Sequence, residues 1–114
     1  MKFVSIYKYD PGTQTGPPSD ENIAQMGQLI GEMMAAGVLV DTGGVMPTSV
    51  SMRVRREGER ISSTDGPFTE SKEVVGGFAV FNVATKDEAI AWTRRFLERA
   101  GDGVCELIEV TSAP

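Results

Sequence analysis

An α+β sandwich is the fold class that this 114-residue chain predicts, and three observations predict it. Residues 2–9, KFVSIYKY, and 76–83, GGFAVFNV, are rich in β-branched and aromatic side chains arranged at the two-residue period of a strand. Residues 20–36 and 86–99 repeat their apolar side chains at spacings of three and four, the period of a helix. The elements then run strand, helix, strand, hairpin, strand, helix, strand. With the hairpin set aside, two strand-helix-strand halves remain, which is the order of a ferredoxin-like sandwich.

In the first strand Phe3, Ser5, Tyr7 and Tyr9 share one face, and Val4, Ile6 and Lys8 share the other. Residues 10–18 hold two glycines and three prolines, which neither continue a helix nor fill a sheet ladder, so an exposed loop is expected. Ser19 is a helix cap, with Asp20 and Glu21 placed at the positive end of the helix dipole. Ile23, Met26, Ile30, Met33 and Gly37 form the apolar stripe, widened by Leu29 and Met34. Gly27 and Gly31 read as points of close packing against the sheet, and Gly37 as the helix stop. Val38 to Val40 begins a short strand that leads into a Gly43-Gly44 turn.

Residues 50–55 and 59–64 read as a hairpin around Glu57-Gly58, with Val50, Met52 and Val54 alternating against Ser51, Arg53 and Arg55. In the strand at 76–83, Phe78 and Val80 face opposite to Ala79, Phe81 and Val83. Thr85-Lys86-Asp87-Glu88 has the form of a capping box, so a second helix starts there. Ala89, Trp92, Phe96 and Ala100 make its stripe, Gly101 and Gly103 end it, and residues 104–110 supply the last strand. Both helices can cover one sheet face. The other still carries apolar side chains, so a homodimer that hides Phe3, Phe78 or Phe81 is expected.

A single domain spanning residues 1–114 suits this length. Eleven Lys and Arg against sixteen Asp and Glu give a net charge of -5, which opposes broad contact with nucleic acid or an anionic membrane. The longest apolar run, Met33 to Val40, is too short to cross a bilayer, and the N-terminus lacks the form of a secretory signal. A cytoplasmic protein is the plain expectation. Cys105 is the sole cysteine and reads as a packed strand thiol. With no histidine in the chain, Ser-His-Asp and Cys-His catalysis and histidine metal motifs are excluded. No acidic calcium loop or phosphate-binding glycine fingerprint is present, so neither a metal nor a cofactor is expected.

The candidate ligand-binding residues fall in two places. Tyr7 and Tyr9 can project phenols into a space between sheet and loop, or can simply pack. In DGPFTESKE, Asp65 can accept ligand hydrogen bonds, act as a base, or hold the Gly66-Pro67 turn. Phe68 can anchor that turn or stack on a ligand. Lys72 can neutralise an anion while Glu70 and Glu73 orient it, or the three can form a solvated charge cluster. Arg53 and Arg55 share one hairpin face and can meet an anion, solvent or an acidic partner.

Asp65-Gly66-Pro67-Phe68, Glu70, Lys72-Glu73 and Gly76-Gly77-Phe78, together with the later Asp87-Glu88-Ala89 and Trp92, resemble the YCII-related family in its DGPF-domain branch. The resemblance runs over nearly the whole chain, from KFVSIYKY to CELIEV. It implies a dimeric α/β barrel in which two ferredoxin-like units pack sheet to sheet. An Asp-His pair is the suspected centre in some YCII-like relatives, and a chain without histidine cannot have it. The expected function is a small dimeric protein that binds a modest polar or aromatic metabolite, with any reaction resting on carboxylates. The alternative is a regulatory or structural protein-interaction module that uses the basic hairpin and the DGPF loop.

Overall fold

The computed structural model describes residues 1–13, 17–68 and 73–111. Its elements are β1 (Lys2–Tyr9), α1 (Asp20–Ala35), β2 (Leu39–Gly44), β3 (Met52–Glu57), β4 (Arg60–Asp65), β5 (Val74–Asn82), α2 (Lys86–Ala100) and β6 (Val104–Glu109). Four strands form one antiparallel sheet in the order β2-β5-β1-β6, and β3 and β4 form a separate hairpin. That strand order is the ferredoxin-like one, with the hairpin inserted between the halves. None of the helices among the described residues is long and apolar enough to cross a membrane.

Register decides which side chains reach the core. Phe3 pairs with Phe81, Ser5 with Ala79 and Tyr7 with Gly77 on the face beneath the helices. Val4 with Val80 and Ile6 with Phe78 occupy the opposite face. Phe3, Phe81, Val83 and Val38 join Leu29 and Met33 of α1 and Ala89 of α2 in a buried cluster. This corrects one expectation: Phe3 and Phe81 are only 5% and 4% exposed within the single chain, so neither is left for a partner to hide. Phe78 belongs to the open face.

Both predicted caps form, although Glu88 does not close the capping box on Thr85 itself. Ser19 Oγ accepts the Asn22 amide at 3.1 Å, and Thr85 Oγ1 accepts the Glu88 amide at 3.1 Å. Glu88 reaches back one residue beyond the cap, where its Oε2 accepts the Ala84 amide at 3.1 Å. Gly37, with φ of 72°, takes the left-handed conformation that ends α1.

Glycine meaning is where the expectations fail. Gly43 and Gly44 form part of β2 rather than a turn, because they pair with Phe78 and Gly77 across the sheet. A Cβ on Gly77 would stand 2.9 Å from the Gly43 carbonyl oxygen, so this edge closes only without side chains. Gly27 and Gly31 do the reverse of what close packing requires. A Cβ on either meets nothing within 4 Å. Met34, read as part of the packed stripe, is 63% exposed.

Candidate functional site

The apolar stripe of α1 does not lie evenly on the sheet. Leu29 and Met33 are buried in the core, whereas Met26 and Ile30 are half-buried and Ile23 is exposed. Beneath the N-terminal half of the helix the sheet presents Ser5, Gly77, Ala79 and Gly44, all too small to fill the gap between two layers. A cavity of about 690 Å³ results. Its roof is Ile23, Met26, Gly27 and Ile30 of α1, its floor is the small-residue face of the sheet, and Tyr7 and Phe96 stand at its side. The volume falls within the range of roughly 300–1,000 Å³ common for small-molecule sites.

Tyr7 is held from four directions. Its ring stacks on Tyr9 at a centroid distance of 5.8 Å and meets Phe96 edge-on at 5.3 Å. A Cβ on Gly76 would stand 3.1 Å from the Tyr7 ring and 2.7 Å from Tyr9, and one on Gly103 would stand 2.6 Å from Tyr7. Both glycines therefore make room for the phenols. Gly76 enters the strand at the register shift where Tyr7 pairs with Gly77 and Lys8 with Val75. The Tyr7 hydroxyl donates to the Asp102 carbonyl at 3.3 Å, a long bond that a ligand oxygen can replace. Burial raises the Tyr7 pKa from its ordinary 10.0, and the charges that Cys105, Tyr9 and Asp102 carry when ionised add to the rise. At neutral pH the group is a neutral donor rather than a base.

Tyr7, Pro18 and Asn22 also line a second, more polar hollow beside the first, where Arg99 and Asp102 stand. The Asn22 amide donates to the Arg99 carbonyl at 2.7 Å, and Arg99 Nη1 donates to the Arg95 carbonyl at 2.8 Å. The polar end of the cavity is thus tied to the last turn of α2. Cys105 faces the same side of the sheet opposite Tyr7, and burial raises its thiol pKa against the lowering effect of Ser5. That is the setting of an unreactive packed thiol.

The DGPF segment is built for another task. Asp65 ends β4, exposed and paired across the hairpin with Met52. The Gly66 amide donates to the Ser51 carbonyl at 2.7 Å, and a Cβ on Gly66 would collide with the Thr48 carbonyl. The Gly66-Pro67 bond is cis. Arg53 sits 4.1 Å above the Phe68 ring, so Phe68 serves as an anchor. Arg55 lies 3.6 Å from Glu57 in an exposed pair. Neither Asp65 nor Phe68 lines the cavity, and Glu73 is an exposed residue immediately before β5. Glu70 and Lys72 fall outside the described residues.

Of the two predicted groups, then, Tyr7 lines the cavity with Tyr9 stacked against it, and the described part of the DGPF segment does not contribute. Ser5, Ala79, Gly77 and Gly103 were not foreseen from the sequence. A signal was present in the first three: on the strand faces that carry Tyr7 and Phe81, the intervening positions are small. Among the described residues no carboxylate lines the cavity, and no group of three or more Cys, Asp or Glu side chains converges as for a metal ion.

A ferredoxin-like sandwich with a hollow between its first helix and its sheet is the class of protein these features define. The chain belongs to the YCII-related family, whose domain model matches residues 1–113. No curated protein matches it. A solved structure, the 5-chloro-2-hydroxyhydroquinone dehydrochlorinase TftG from Burkholderia phenoliruptrix AC1100 in complex with 2,5-dihydroxybenzoquinone, shares its fold at a TM-score of 0.54. The match covers 99% of this chain and 96% of that one at 13% identity.

Proposed function

We propose that this protein is a small homodimeric binder of single-ring aromatic metabolites, phenolic or quinoid, and that the ligand lies between α1 and the sheet. The observation that carries the reading is the 690 Å³ apolar cavity with one tethered phenol at its edge. The complex of TftG with 2,5-dihydroxybenzoquinone lends support, since a protein of this fold there holds a hydroxylated six-membered ring. Because the described wall offers hydroxyls and an amide but no carboxylate, its chemistry is recognition by hydrogen bonding rather than proton abstraction. The second sheet face, where Ile6, Phe78 and Val80 lie together, is the surface proposed to pair with a second copy. A reducing cytoplasm suits the free Cys105.

Magnitudes set the expected affinity. A ring that hides about 150 Å² of apolar surface at about 25 cal/mol per Å² gains roughly 4 kcal/mol, a millimolar dissociation constant. A hydrogen bond from Tyr7 adds about 1 kcal/mol, or roughly fivefold. Calorimetric titration with hydroquinone and 2,5-dihydroxybenzoquinone tests this. Tyr7→Phe keeps the ring packing and should weaken binding about fivefold with little change in Tm. Gly27→Leu adds a side chain on the cavity face of α1, where a Cβ meets nothing, and should abolish binding while the fold persists. Undiminished binding by Gly27→Leu would remove the proposed site.

A further inference from the structure

The β3–β4 hairpin has two unlike faces. By register, Met52, Val54 and Ile61 share one face with Arg56 near the turn and Ser63 and Asp65 on β4, while Arg53, Arg55, Glu57, Arg60, Ser62 and Thr64 share the other, which holds no apolar side chain. Every residue of both strands is exposed, and Met52, Val54 and Ile61 are 72%, 66% and 67% exposed. The charged face suits water. The three apolar side chains of the opposite face are left uncovered by their own chain, and an isolated two-stranded hairpin is marginal in water.

The base of the hairpin is nonetheless firmly braced. The Gly66 amide bonds to Ser51, Gly66 packs against the Thr48 carbonyl, and Arg53 clamps Phe68. In this way the DGPF segment fixes the direction of an arm whose length touches no core. The dimensions of the chain accord with an arm held away from the core. Its radius of gyration is 16.3 Å, against about 13 Å for a compact domain of this length. It exposes 8210 Å², about 2,000 Å² more than a compact monomer of its mass. Doubled over a pair, about 4,000 Å² is what an obligate homodimer buries.

We infer that the hairpin is a clasp for a second copy of this chain, with Met52, Val54 and Ile61 seated on the partner. The inference rests on the homodimer of the proposed function and adds an intersubunit contact beyond the sheet faces. Charge agrees with this choice: residues 52–65 hold four arginines against three acidic residues, whereas the remainder of the chain is strongly acidic. An arm of that sign approaches a second copy more readily than another basic protein.

Sedimentation velocity over a concentration series tests the clasp on four proteins: wild type, Val54→Glu with Ile61→Glu, the polar-face control Ser62→Glu, and the sheet-face variant Ile6→Glu. The double arm variant should dimerise at least about tenfold more weakly, as for loss of a buried apolar anchor, with the control close to wild type. A monomeric wild type overturns both the dimer and the clasp. If Ile6→Glu separates the subunits and the arm variant does not, the clasp alone fails. Should the arm variant misfold, the native sequence supplies the answer. In dimers mixed from methyl-labelled and unlabelled chains, Ile61 methyl contacts to the unlabelled partner support the clasp, and their absence overturns it.

Discussion

Tyr7 shows how one side chain acquires a task from its neighbours. The phenol is fixed by Tyr9, Phe96 and two glycines, yet its hydroxyl is committed only to the long bond to Asp102. Burial raises the pKa values of both Tyr7 and Cys105, each a neutral acid when protonated. Below the ordinary thiol value of 9.0, both are protonated in the folded and unfolded chain and impose no slope on stability. Above it, the unfolded chain releases protons that the folded chain retains, so stability falls as pH rises. Urea midpoints measured from neutral pH to 10.0 should decline, and Tyr7→Phe with Cys105→Ser should flatten that decline. Leu29, 1% exposed, is the opposite kind of residue. Leu29→Ala should cost about 2–5 kcal/mol, read by urea denaturation. The alternation of β1 already placed Tyr7 and Tyr9 on one face, but the depth beneath them depended on Gly77, Ala79 and Gly44. A glycine in sequence does not say whether it admits a backbone, a ring or a void.

The elements themselves were legible because local chemistry determines them. Ser19 and Thr85 cap the helices where the capping patterns stand, and Thr85→Ala should lower stability by about 1 kcal/mol. The position of α1 was harder to foresee. Its stripe is continuous from Ile23 to Met33, but only the C-terminal half meets side chains large enough to complete the core. The N-terminal half remains above Ser5, Gly77 and Ala79, and the cavity is the difference. Gly31 is exposed on the helix, with open space at its Cβ. Gly31→Ala should stabilise the protein by roughly 0.5–1 kcal/mol, where a close-packing role would make it destabilising. Thermal unfolding distinguishes the two. In sequence the DGPF segment offers candidate ligand-binding residues because it is polar and turn-forming. In the fold its described part braces the hairpin, a long-range consequence that only the paths of β3 and β4 reveal.

For the whole molecule, the two sheet faces divide the account. The helix-covered face holds the core and the cavity. The open face, with Ile6, Phe78 and Val80 and the 53% exposed Ile108, is proposed to meet another copy. Isoleucine residues happen to report each region separately. Ile23 and Ile30 line the cavity, Ile6 and Ile108 mark the open face, and Ile61 marks the hairpin. Methyl-labelled isoleucine spectra recorded while 2,5-dihydroxybenzoquinone is added therefore test the cavity assignment most directly. The account predicts saturable shifts at Ile23 and Ile30, with Ile6, Ile61 and Ile108 unmoved. Saturable shifts confined to Ile6, Ile61 or Ile108 would contradict it.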